Sequence, residues 1–195
     1  MITGHTYKLS AYPKDILLGN GVMAVLRPMT RDDAAALLDF FLNTPEEDRY
    51  YLKDDVTSPV VIQQWIEELD YDRALPLLAW VDNKIVADGT LHRTRTLARR
   101  HVGEVRILVT PAYRNYGLGT TLMRELAAIA NENGLERLKF EAVADKEDEA
   151  IRAAEHVGFV KVAALPGHGK GPDGHPRDIV LMEMMLGRWF DWWLF

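Results

Sequence analysis

The stretch from Val102 to Asn133, VGEVRILVTPAYRNYGLGTTLMRELAAIANEN, constrains the fold more than any other part of the chain. Its first half reads as a strand. Val105, Ile107 and Val109 alternate with Glu104, Arg106 and Leu108, the period of two that a pleat imposes. Pro111 ends ladder pairing because it has no N–H to donate. A helix opens near Leu118, with Leu122, Leu126, Ile129 and Ala130 on one face. Gly134 stands where a helix closes on a left-handed residue. A second strand, Leu138 to Val143, follows this single helix, so the two strands run parallel through a right-handed crossover.

Between strand and helix lies Arg114-Asn115-Tyr116-Gly117-Leu118-Gly119, an R-x-x-G-x-G. The two glycines let the backbone approach a ligand closely, and the N–H groups of the first helical turn have no intrahelical partner. Together with the helix dipole they make an anion site suited to a pyrophosphate. The turn is not G-x-G-x-x-G, and no G-x-x-x-x-G-K-[ST] occurs, so it is neither a Rossmann fingerprint nor a Walker loop.

Length and charge narrow the class. A chain of 195 residues is expected to form a single domain, residues 1–195, with a sizeable core. A net charge of −6 argues against a nucleic-acid coat. With no cysteine there is no disulfide, thiolate metal site or cysteine nucleophile. The N-terminal residues lack an apolar core of the signal-peptide kind, and no run approaches the ~20 apolar residues of a membrane span. The expectation is a cytoplasmic protein with no membrane span and no nucleic-acid partner.

Upstream, Ile16–Leu18 and Val22–Leu26 flank Gly19-Asn20-Gly21 as a hairpin. Thr30 caps a helix, with Asp33 placed like the acid of a capping box, and Ala34, Leu37, Leu38 and Phe41 form its buried face. Ser58-Pro59 starts another helix, whose Ile62, Trp65, Ile66 and Leu69 read as core. Leu77–Val81 and Ile85–His92 form a hairpin about Asp82-Asn83-Lys84. The following Arg93, Arg95, Arg99 and Arg100 read as a solvated basic loop. Downstream, Asp145–His156 reads as a helix, and Phe159–Leu165 and Ile179–Leu186 as the last strands. The segment between them, Pro166 to Pro176, is expected to be an irregular lip over the acceptor pocket. No metal site is expected.

The ordered string V-x-P-x-Y-R-x-x-G-x-G, an amphipathic helix, the strand Leu138–Val143 and then Gly158-Phe159 resembles the acetyl-CoA-binding core of the GNAT acetyltransferase superfamily. The match covers roughly Val102 to Val160. It implies an α/β (α+β) fold, a mixed central sheet of about seven strands flanked by helices on both faces. It also implies that the two central parallel strands splay apart, with the pantetheine arm in the gap. By this resemblance the cofactor is acetyl-CoA, held by Leu108, Val109, Arg114, Asn115, Tyr116, Gly117, Leu118, Gly119 and Thr120. Glu104, on the central strand, is the candidate general base. Many members place a tyrosine four residues before Gly-Phe to protonate the leaving thiolate. Here that position is Ala154, and the family's asparagine position is Glu147.

The reading is an N-acetyltransferase that passes the acetyl group to a primary amine, on a small molecule, an amino acid or a protein, by direct attack in a ternary complex. The alternative is a non-catalytic acyl-CoA-binding regulatory module. The last residues, Arg188-Trp189-Phe190-Asp191-Trp192-Trp193-Leu194-Phe195, hold three of the five tryptophans. A soluble monomer rarely leaves so much aromatic surface in water, so the tail is expected to pack on its own sheet or on a second subunit, with a homodimer the favoured reading.

Overall fold

A computed structural model describes residues 7, 9–52, 54–94 and 96–187. The expected aromatic tail, Arg188–Phe195, and Arg95 of the basic loop lie outside the described residues. Among the described residues, eight strands form one sheet in the order β1-β2-β3-β4-β5-β6-β8-β7. They are β1 (Lys14–Leu17), β2 (Met23–Pro28), β3 (Ala74–Val81), β4 (Lys84–Arg93), β5 (Val102–Val109), β6 (Arg137–Val143), β7 (Val160–Lys170) and β8 (Pro176–Met185). The resemblance implied about seven. The eighth arises because both arms of the first hairpin join the sheet, with β1 at the edge.

Among the described residues, five α-helices accompany the sheet: α1 (Ala34–Leu42), α2 (Glu46–Arg49), α3 (Pro59–Glu67), α4 (Leu118–Glu132) and α5 (Asp148–Val157). Each face of the sheet has its own core. Leu118, Leu122, Leu126 and Ala130 of α4 and Ala154 of α5 pack on one face, over Ala87, Leu91, Val105 and Leu138. Leu37, Phe40 and Phe41 of α1 and Ile62 and Ile66 of α3 cover Leu78 and Ile85 on the other. Phe40 rather than Leu38 completes the buried face of α1.

The capping expectation at Thr30 holds for a short 3₁₀ turn, Arg31–Asp33, that leads into α1. The Thr30 N–H donates to Asp33 Oδ2 at 2.7 Å, and Arg27 grips the same carboxylate with two bonds, at 2.6 and 2.7 Å. Asp82 and Asn83 turn β3 into β4 with both residues at positive φ, the geometry a two-residue hairpin needs. One residue later Val86 forms a bulge, since Trp80 pairs with Ile85 but Ala79 pairs with Ala87. The extra residue sends Ile85 to the α1/α3 face and Ala87 to the α4 face.

The segment after Phe159 differs from expectation. β7 continues to Lys170 and β8 begins at Pro176, so only Gly171–His175 is loop. The ladder takes up Pro166–His168 as an irregularity between Leu165 and Gly169, with Gly167 at φ 62 and its N–H donating to Asp178 Oδ1 at 2.8 Å. A glycine-rich composition was thus compatible with a strand that bulges at a sheet edge.

The parallel pair β5–β6 is short. Only Val102↔Arg137, Gly103↔Leu138 and Glu104↔Lys139 pair, although both strands run on beyond them. β5 stays hydrogen-bonded to β4 as far as Val109, and β6 to β8 as far as Val143. The sheet therefore opens between residues 105–109 and 140–143, as the resemblance implied.

Candidate active site

The opening in the sheet leads into two cavities that meet at Ile107 and Leu108. Ile107 faces the α4 core and Leu108 the α1/α3 core, so the cavities lie on opposite faces.

The first is a groove of about 730 Å³. Its walls are the end of β5, the turn into α4, the outer face of α5 and one side of α2. Eight of the nine residues expected to hold the cofactor line it: Leu108, Val109, Arg114, Asn115, Gly117, Leu118, Gly119 and Thr120. Tyr116 does not. Its side chain is 40% exposed, and its carbonyl accepts the Gly19 N–H, tying the turn to the first hairpin.

Gly117 stands at φ 82 before the helix, and the first bond of α4 runs from the Thr121 N–H to the Gly117 carbonyl. The N–H groups of Leu118, Gly119 and Thr120 precede that ladder. A Cβ at Gly117 would meet nothing within 4 Å, and one at Gly119 only Val109 Cγ2 at 3.7 Å. The turn thus keeps open space against bare backbone amides, which is what a phosphate group requires.

Arg114 is anchored on both sides. Its Nε donates to the Val109 carbonyl at 3.0 Å and its Nη2 to Asp48 Oδ2 of α2. Its position thereby joins β5, the turn and α2. Beside it, Glu147 has a half-buried carboxyl whose Oε2 accepts the Val143 N–H at 2.6 Å. Burial pushes Glu147 above the usual carboxylate range, against the pull of that hydrogen bond. The Tyr51 hydroxyl, at the end of α2, is buried in this groove without a hydrogen-bond partner. Ala154, where the resemblance would look for a tyrosine, is buried in the core, and the face that α5 turns to the groove carries Ala150 and Ala153. The tip of the β7–β8 hairpin also reaches this groove. Pro172 lines it, and the Tyr50 hydroxyl donates to the Gly171 carbonyl at 3.2 Å. The segment expected to cover the acceptor side therefore stands beside the groove lined by the residues expected to hold the cofactor.

The second cavity, about 410 Å³, lies on the α1/α3 face. Leu37, Phe41 and Trp65 give it an apolar wall. Its charged lining holds Asp54, Glu68, Asp70 and Asp88 against Arg73 and Arg106. Asp88 sits on β4 directly opposite Leu108, and the Thr90 hydroxyl donates to its Oδ1 at 3.0 Å. Burial pushes the Asp88 carboxyl up to about 6, with the Thr90 bond offsetting part of the rise.

Glu104 shares this sheet face but stands four pairs along the β4–β5 ladder from Leu108, nearer the closed end of the β5–β6 seam and opposite His92. Arg106 Nε donates to its Oε1 at 2.7 Å, and Lys139 Nζ of β6 lies 2.8 Å from its Oε2. Burial alone would raise its pKa, but the bonds from Lys139 and Arg106 outweigh burial and hold the carboxyl at about 2. Neither cavity is lined by Glu104.

Sequence reasoning missed Asp88, and it gave Glu147 only as the family's asparagine position. Asp88-Gly89-Thr90 inside a strand carries no motif, and the bulge at Val86 hides which face it takes.

Comparison with known proteins agrees with this architecture. The model of the acetyltransferase (GNAT) family matches residues 37–159. Among solved structures, the GNAT domain of S. lividans PAT superposes with a TM-score of 0.75 at 22% identity, covering 91% of this chain and 98% of that one. An acetyltransferase, yncA of Salmonella typhimurium, solved with its cofactor acetyl-CoA, gives 0.72 at 20% identity, covering 85% and 95%. The ribosomal-protein-alanine N-acetyltransferase of Brucella melitensis gives 0.70 at 24% identity, covering 83% and 99%. A turn of bare amides beside an opened parallel strand pair, in a chain whose larger part matches the family model, makes this protein a member of the GNAT acetyltransferases, enzymes that use acetyl-CoA.

Proposed function

We propose that this acetyltransferase moves the acetyl group of acetyl-CoA to a primary amine by direct attack while both substrates are bound. The observation that carries this reading is the meeting of two cavities at Ile107 and Leu108, one suited to each substrate. When bound, acetyl-CoA supplies the acetyl group as a thioester. The amides of Leu118, Gly119 and Thr120 would hold the pyrophosphate, with Arg114 adding charge and fixing the turn. The strand ends from Leu108 to Val109 would flank the pantetheine arm, and the Tyr51 hydroxyl would find its missing partner there. The acidic second cavity suits an acceptor that arrives as an ammonium ion, with Trp65 and Phe41 beside its apolar part. Such an acceptor matches the amine named for the Brucella melitensis enzyme in kind, whether it is a small molecule or a protein terminus.

Gly119→Val tests the cofactor half. Gly119 has ordinary helical backbone geometry, so valine fits the fold but fills the phosphate's approach. Titration calorimetry should show acetyl-CoA binding lost while the melting temperature moves little. Undiminished affinity in this variant overturns the assignment of the turn. A screen of primary amines with the wild-type enzyme tests the other half. Acetyl-CoA binding with no amine acetylated would return the chain to an acyl-CoA-binding module.

A further inference from the structure

We propose that Asp88 is the general base of the reaction, taking a proton from the acceptor's ammonium group in the cavity on the α1/α3 face. The inference rests on the acyl-transfer reading above and concerns a residue that carries no motif. Its first support is position. Asp88 faces Leu108 across the β4–β5 ladder, and Leu108 is one of two residues common to both cavities. A carboxylate there borders the junction through which an amine must reach a thioester on the far side of the sheet.

The second support is the balance of charges around it. On its own strand Asp88 has Thr90 as a hydrogen-bond donor and His92 further along the same face. From β5 comes Arg106, opposite Thr90 and bonded to Glu104. From β3, Leu78 pairs opposite Asp88 and presents only an apolar side chain. Asp54, Glu68, Asp70 and Arg73 face the cavity from the segments around α3. Among the described residues no ion pair to Asp88 is present. The carboxyl is therefore desolvated without a cation to fix it in the charged form, and burial raises its proton affinity to about 6. A group near that value is charged at neutral pH and still binds a proton strongly enough to share in the reaction. Glu104, held at about 2 by two cations, lacks that affinity.

The step balances. An acceptor R–NH₃⁺ gives one proton to the Asp88 carboxylate, which becomes the acid and later releases that proton to water. The amine nitrogen forms a bond to the acetyl carbon as the carbon–sulfur bond breaks. The nitrogen's second proton leaves with the thiolate as thiol, so the products are amide, thiol and one proton.

Two variants and one spectroscopic readout test this. Asp88→Asn keeps the acceptor oxygen for Thr90 and removes the base. With an amine from the screen, kcat/KM at pH 7 should fall by about 10²–10³-fold, and the deficit should shrink as pH approaches the amine's own pKa. Acetyl-CoA affinity by calorimetry should stay within about twofold, since the groove is untouched. The wild-type kcat/KM should carry an acidic limb near pH 6 that is absent in Asp88→Asn. Thr90→Val should move the limb upward by roughly 0.5–1 unit, because a donor to the charged form is gone. Carbon-13 NMR of labelled aspartate in the substrate-free protein should show one carboxyl titrating near 6 that vanishes in Asp88→Asn. An Asp88→Asn enzyme with wild-type turnover and limb overturns the inference, as does an Asp88 carboxyl titrating in the ordinary range. A wild-type enzyme that binds acetyl-CoA and acetylates no amine overturns instead the reading beneath it.

Discussion

Asp88 and Glu104 are carboxylates on one face of one sheet, and their neighbours send them in opposite directions. Glu104 is clasped by Arg106 of its own strand and Lys139 of β6, so it links the two parallel strands at the point where their pairing ends. Its folded pKa of about 2 lies below the ordinary 4.5. The stability this clasp supplies is therefore fully present above the unfolded value and is lost as pH falls from about 4.5 through about 2. Because both cations are partly open to water, solvent screening reduces the effect to about 1–2 kcal/mol. Glu104→Gln should lower the unfolding free energy by that amount at pH 7. The gap to wild type should narrow below pH 4.5, as urea denaturation at several pH values would show. If the same variant lost the acidic limb of kcat/KM, Glu104 rather than Asp88 would be the base.

At the scale of elements, the short β5–β6 seam depends on Gly103. A Cβ there would stand 2.8 Å from Leu138 Cδ2, 2.9 Å from Leu135 Cδ1 and 3.0 Å from Leu91 Cδ1. Gly103→Ala should destabilise the fold by about 1–3 kcal/mol through overpacking. Affinity for acetyl-CoA should change little, since the groove lies at the other end of β5. Equilibrium unfolding beside calorimetry reads both. This seam also shows what a sequence can disclose. The strand, turn and α4 were legible because their signals are local: alternation, a proline stop, two glycines and a helical stripe. The position of Asp88 was not. It depends on the bulge at Val86 and on the β4–β5 register, which only pairing creates. The approach of α2 was equally hidden, because the bond from Arg114 to Asp48 spans 66 residues of chain. The β7–β8 hairpin was misjudged for a different reason. Glycine and proline lower strand propensity, but an edge ladder tolerates them where it can bulge.

Across the whole molecule, the groove gathers β5, α2, the α4 turn and α5. A ligand bound there stabilises the folded state by mass action. At a free concentration of 100 times Kd the gain is about 2.7 kcal/mol. For a chain of this size that corresponds to a rise in melting temperature of roughly 5–10 °C. Differential scanning fluorimetry with and without acetyl-CoA measures it, and a flat response would mean that the folded chain does not bind the cofactor. Among the described residues no helix is long and apolar enough to cross a membrane. Val160 and Val162 of β7 and Met185 of β8 expose apolar side chains. The open seam has a further consequence for traffic. A sheet that is unzipped at one end is a wall with a window. Under the proposed placement, with the cofactor on one side and the amine on the other, neither reactant would block the other's door. The acetylated product and the spent thiol would then depart by separate exits, each into its own solvent.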